Sequence, residues 1–149
     1  MVKTADQIDW SNPANQVSDH FTVKELIWLN QLNRLATVDD GLTDQIKANL
    51  LTLIAKMEVV REFLEKAIVV NSTYRSNAYS RMVGGFAGDV HTMGIAMDFT
   101  VESMTCDEAK HLILPMLEQW DMRLEDNGDG AGWCHMDWHK VINKRFFKP

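Results

Sequence analysis

Much that would narrow the function of this chain is scarce in it. There are 2 cysteines in 149 residues. Cys106 and Cys134 lie far apart in no C-x-x-C pattern, which excludes a disulfide framework; both are expected to be reduced and at least partly buried. No apolar run approaches the roughly 20 residues of a membrane helix. The polar start, Met1 to Trp10, does not read as a signal peptide, so synthesis in a cytoplasm without export by that route is expected. Nor is there a surplus of positive charge: 15 Lys and Arg stand against 21 Asp and Glu, a formal net charge of −6. Non-specific nucleic-acid binding wants a basic face, so neither a nucleic acid nor a membrane is an expected partner, and the charge reads as serving solubility. Internal repeats, linkers and low-complexity stretches are also lacking.

What is present suits one domain. Hydrophobic residues make up 46%, and a chain of this length buries roughly 68–70% of the surface it exposes when unfolded. A core is therefore available without disulfides or a structural metal, and a metal found here would work rather than staple. Residues 1–17 read as a polar N-terminal extension and 18–149 as a single, monomeric domain. Thr22 and Glu25 form a capping box for a short helix. Thr43 caps the clearest helix, in which Ile46, Leu50, Leu53, Ile54, Met57, Val60, Phe63 and Leu64 recur at helical spacing to about Lys66; such a stripe is core packing. Residues 67–71 read as a strand. From Tyr74 to Val83 a loop leads into a short helix stopped by Gly84 and Gly85, and 86–94 form a loop. Ile95 to Val101 alternate as a strand. Thr105 and Glu108 open a helix to about Trp120, interrupted at Pro115. Met122–Leu124 and Trp133–Trp138 form a hairpin around the turn Asp126-Asn127-Gly128-Asp129-Gly130, and the tail from Lys140 reads as a helical turn on the surface. This order predicts an α+β fold with a small antiparallel sheet packed against helices.

The strongest chemical signal is His91-Thr92-Met93-Gly94-Ile95-Ala96-Met97-Asp98. A lone histidine in a half-buried strand is more often a hydrogen-bonded core residue than a ligand. Asp98 changes the odds, because a carboxylate among Ala96, Met97 and Phe99 is costly to bury unless paired or bound to a cation. Gly94 allows the chain to fold so that His91 returns over the sheet face. His135 supplies a third ligand, and zinc accepts imidazole nitrogen and carboxylate oxygen alike. Asp137 shares the strand face of His135 and is placed to orient it or a neighbour if His135 binds zinc, whereas Cys134 points away. His139 lies about 13 Å from His135 along an extended strand at ~3.3 Å per residue, which ranks it below His135. Arg75 could clamp a carboxylate with paired hydrogen bonds. The 126–130 turn lacks the sixth-position glycine and the closing glutamate of an EF-hand calcium loop.

These residues resemble the zinc D-Ala-D-Ala carboxypeptidase and L-alanyl-D-glutamate peptidase family, which shares its metal site with the hedgehog signalling domain; the short, phage-associated branch is the most similar. The family signature resembles Ser-x-His-x-x-Gly-x-Ala-x-Asp, present as Asp89-Val90-His91 through Gly94, Ala96 and Asp98. Asn71 to Ser76, Val83-Gly84-Gly85, Phe21-Thr22 with Glu25-Leu26, and Trp133 to Asp137 support it, so the likeness spans about residues 18–139. It implies one zinc per chain on His91, Asp98 and His135 with an open fourth position. It also implies an endolysin-like peptidase, of D,D-carboxypeptidase or L-alanyl-D-glutamate endopeptidase type, that acts on peptidoglycan stem peptides after release from the cell or from a virion. Arg75 is then expected among the catalytic residues and, with Asp89 and Trp133, to bind substrate. Two positions depart from the pattern. Asp89 replaces the signature serine, and Gly132 stands where many members carry the acidic general base three residues before the last ligand. Loss of a base costs roughly 10²–10⁴-fold. Asp137 is the first substitute, followed by Glu125, Asp126 and Asp129. The alternative is a zinc-binding structural or assembly module of a phage particle that has lost hydrolysis.

Overall fold

The computed structural model describes residues 1–86 and 88–149; Ala87, inside the expected 86–94 loop, lies outside them. Helix α1 (Val23–Ile27) starts at the Thr22–Glu25 capping box, and the short strands β1 (Trp28–Leu29) and β2 (Arg34–Leu35) pair antiparallel after it. Helix α2 (Asp44–Leu64) begins where the Thr43 side chain accepts from the Ile46 amide. Its stripe of Leu50, Leu53, Ile54, Met57, Val60 and Leu64 is buried, while Phe63, counted on that stripe from spacing, is 42% exposed and meets Trp120 edge-on instead.

Strand β3 (Ile68–Ser72), helix α3 (Asn77–Met82) and strand β4 (Ala96–Val101) follow. The expected break at Pro115 divides α4 (Cys106–Ile113) from α5 (Leu117–Trp120) by one 3-10 turn. Strands β5 (Arg123–Glu125) and β6 (Cys134–Asp137) form the expected hairpin. The tail differs from expectation: it is not a helical turn but ends in strand β7 (Phe146–Phe147), paired parallel with β5. The sheet order is β3-β4-β6-β5-β7, antiparallel except for that last edge. The architecture is the expected α+β, with the sheet packed against helices.

Period-two alternation sorts the sheet into two faces. Met97, Phe99 and Val101 of β4, Cys134 and Met136 of β6 and Leu124 of β5 join the core beside α2 and α4. Each fully buried side chain of the size of Met97 or Phe99 contributes about 1.5–3 kcal/mol. The residues between them, Asp98, His135, Asp137, Arg123 and Glu125, fall on the opposite face. Register then brings them together: Asp98 pairs with His135, and Asp137 lies between Ala96 and Arg123. The N-terminal stretch adds Ile8 and Val17 to the same core. No helix among the described residues is long and apolar enough to cross a membrane.

Candidate metal centre

His91 enters the site from the loop between α3 and β4. Its Nδ1 lies 2.7 Å from the Thr73 carbonyl. A carbonyl only accepts, so Nδ1 carries the proton and Nε2 the lone pair. That Nε2 is buried and makes no hydrogen bond, although Oδ2 of Asp98 is 3.3 Å away. A buried acceptor without a partner is costly, and a cation would satisfy it.

The loop itself is held by Asp89. One carboxylate oxygen accepts from the Ser80 hydroxyl, and the other from the amides of His91 (2.9 Å) and Thr92 (3.2 Å). Its carboxylate, buried at 8% exposure, therefore holds the His91 loop in place. Gly85 is required beside it, because a Cβ there would run into Ser80 Oγ and come within 2.7 Å of Asp89 Oδ2.

Asp98 faces both histidines. His135 Nδ1 lies 2.7 Å from Oδ1, and Arg75 donates from Nη2 to Oδ2 at 3.0 Å. Burial pushes the Asp98 carboxyl up, but the His135 hydrogen bond and the two neighbouring imidazoles, His91 and His135, outweigh it and hold it well below the ordinary carboxylate range. For His135, burial acts to lower the pKa, yet the Asp137 and Asp98 carboxylates more than offset it and push it up to about 9. Ligand atoms of His91, Asp98 and His135 all lie within 4.8 Å of one another. Tetrahedral donors about 2.0–2.1 Å from zinc stand about 3.3 Å apart, so the widest-set pair would close by up to about 1.5 Å around an ion. Two imidazoles and a carboxylate, one of them with an orphaned buried nitrogen, fit zinc.

Behind His135 the arrangement is closed. Nε2 lies 3.1 Å from Asp137 Oδ2, and Arg123 donates to both Asp137 oxygens at 2.7 and 2.9 Å. The Arg123 guanidinium is 4.1 Å from the centre of the Phe147 ring, a stacking that suits cation and ring alike. Asp137 has no exposure at all. Its position against His135 Nε2 is that of the expected orienting partner, and both its oxygens are engaged and shut off from the cavity, which disfavours it as the general base. Both its neighbours on the sheet face were missed from sequence. Arg123 shares the alternation of Glu125 and could have been found by it, whereas Phe147 gave no signal.

In front of the ligand atoms lies a cavity of about 580 Å³, walled by Phe86, Trp133 and Phe147 among others. Arg75, Asp89 and Trp133, the residues expected to bind substrate, all line it. Trp133 is 44% exposed on the rim, and Arg75 is occupied by Asp98 and by Ser72 Oγ at 3.0 Å. Glu125 also lines the cavity, with Oε2 at 3.9 Å from His135 Nδ1. Asp126 and Asp129, the other substitute bases, do not line it. His139 turns away, its Nδ1 on the Lys140 carbonyl at 2.9 Å. Cys106 and Cys134 are buried free thiols, and Cys134 faces the core as alternation requires.

One histidine from a loop, a second histidine and a carboxylate from adjacent strands, open on one side to a cavity, match the donor set of catalytic rather than structural zinc sites. A family model described as Peptidase M15 matches residues 19–136, a stretch that contains all three residues. The chain belongs to the peptidase M15 family. Peptidases of this family are zinc enzymes. No curated protein and no solved structure matches the chain.

Proposed function

We propose that this chain is a zinc peptidase that hydrolyses an amide bond in peptidoglycan stem peptides, with His91, Asp98 and His135 as the metal ligands and Glu125 as the general base. The observation that carries the reading is the placement of Glu125. Three side-chain carboxylates line the cavity: Asp98 is a ligand, Asp89 is held by Ser80 and the His91 and Thr92 amides, and Glu125 is the one left, 3.9 Å from His135 Nδ1. Zinc, when bound, supplies a Lewis acid for the scissile carbonyl and acidifies its water. The chain's own groups do the rest. Glu125 takes the proton of the attacking water as the C–O bond forms, and returns it to the leaving nitrogen as the C–N bond breaks. Asp137, locked by Arg123, keeps the proton of His135 on Nε2, so that Nδ1 presents its lone pair to the site. The Thr73 carbonyl holds the proton of His91 on Nδ1, so that Nε2 faces the site, and Asp89 seats the His91 loop through the His91 and Thr92 amides. Trp133 and Phe86 supply apolar walls for the residues flanking the bond.

The reading of this chain as a non-hydrolytic module rested largely on Gly132. Glu125 speaks against it, because it supplies from β5 the acid that position 132 lacks. Digestion of defined peptidoglycan fragments, with products identified by mass spectrometry, tests the proposal and names the bond. A zinc-loaded protein that releases no amine from any fragment at any pH would overturn it.

A further inference from the structure

The cavity in front of the metal ligands does not end at Phe147. A second cavity of about 370 Å³ adjoins it, and the two share Arg123, Phe147 and Lys148 as lining. The far part is lined by Ile142, Asn143 and Lys144. All of these except Arg123 belong to the tail that follows β6, beyond the stretch matched by the family model.

Charge along this tail runs against the rest of the chain. Residues 138–149 hold 4 of the 15 basic residues and no Asp or Glu, in a protein of net charge −6. Two of the four face the extended cleft. Lys148 has a side chain 75% exposed and only a 3.4 Å contact with Asp126. Lys144 is exposed and makes no ion pair among the described residues. The other cations of the cleft are already engaged, Arg75 by Asp98 and Arg123 by Asp137. The cations left for a ligand therefore lie on one side of the site, past the Phe147 ring.

Resting on the peptidase reading, we infer that the tail forms a substrate subsite. It takes an acidic peptide segment that continues away from the cleaved bond, with Lys148 and Lys144 pairing its carboxylates and Phe147 forming the wall between subsite and metal centre. The site then selects an extended anionic peptide over a short neutral one. Rim charges of this kind act through long-range attraction and are weakened by salt.

The test compares two peptides that span the cleaved bond, one with glutamates in the flanking segment and one with glutamines in their place. For wild type, kcat/KM should favour the acidic peptide, mainly through KM, and the preference should shrink as salt rises. In the double variant Lys144→Glu, Lys148→Glu the ratio of the two kcat/KM values should fall about fivefold or more, as expected for two reversed rim charges. Fluorescence anisotropy of the labelled acidic peptide reads the same subsite without turnover. Weaker binding by the double variant supports the inference even if no peptide is cut, an outcome that would sink the peptidase reading alone. Equal binding of acidic and neutral peptides by wild type, or an unchanged ratio in the double variant, overturns the subsite.

Discussion

Oε2 of Glu125 stands 3.9 Å from Nδ1 of His135, the nitrogen that also faces Asp98. One imidazole edge thus meets two carboxylates with different neighbours. Asp98 is tied to Arg75 and both histidines, whereas Glu125 faces the cavity with a side chain 17% exposed. Replacing Glu125 by Gln keeps the shape and removes the basicity. We expect kcat to fall by roughly 10²–10⁴-fold while bound zinc, measured by elemental analysis, stays at one per chain. A variant that keeps its zinc and loses less than tenfold in kcat would rule Glu125 out.

Asp137 should behave differently. It is fully buried and holds Arg123 by two hydrogen bonds. Asp137→Asn leaves a buried guanidinium without its countercharge, which costs about 3–5 kcal/mol. It also loosens the orientation of His135, worth about 10–100-fold in metal affinity. Thermal unfolding and chelator competition should both register the change, and adding Arg123→Met should recover part of the stability but not the zinc affinity. Intact affinity in Asp137→Asn would mean that His135 is held without it.

The pH dependence of the metal-free and zinc-loaded protein should run in opposite directions. The folded-state pKa of His135 is raised from 6.5 to about 9 by Asp137 and Asp98 against the pull of burial. A raised pKa stabilises the fold fully below the unfolded value and loses that contribution as pH climbs through the folded value. Metal-free protein should therefore lose on the order of 3 kcal/mol between pH 6.5 and 9. Zinc competes with the same proton, so its affinity should rise by up to about tenfold per pH unit over that window. Chemical denaturation in the presence and absence of zinc, followed across these pH values, checks both slopes. Parallel slopes would show that His135 is neutral without metal.

How far the site was legible depends on the range of the interactions involved. Asp98 and His135 were found because strand alternation is a local rule, and the cost of burying a carboxylate marks it in any context. His91 was found through its spacing to Asp98 across Gly94. Asp137 could be read two ways, as an orienting partner of His135 or as a base: alternation puts it on the face of His135, but only the β5–β6 register shows that Arg123 closes over it. Glu125 carries no local mark that separates it from Asp126 or Asp129; what distinguishes it is the direction that β5 imposes. The tail was illegible because β7 is two residues long and pairs parallel with a strand some twenty residues earlier. No periodicity can develop over two residues, and its partner is chosen by tertiary packing.

Gly94 couples the fold to the site, and its substitution separates the two kinds of loss. Its φ of +72° lies in the left-handed region, and a Cβ there would come within 3.0 Å of both Ile46 Cγ2 and the Ile46 carbonyl of α2. Backbone strain of about 1–2 kcal/mol then adds to a clash that side-chain movement cannot relieve. The same loop is tied to α2 by the Asn49 side chain, which donates to the Met93 carbonyl at 2.8 Å, and the Gly94 amide donates to the His91 carbonyl at 3.2 Å. Pushing Gly94 off α2 therefore moves His91. Gly94→Ala should lower Tm by roughly 5–10 °C, at about 2–4 °C per kcal/mol for a chain of this size, and should weaken zinc binding as well. Gly132→Ala is the control: a Cβ there meets nothing within 4 Å, so stability should stay within about 0.5 kcal/mol. Thermal melts with and without zinc distinguish the cases. If Gly94→Ala narrows the zinc-induced rise in Tm while Gly132→Ala preserves it, the His91 loop is seated by α2; an equal rise in both would confine Gly94 to the fold.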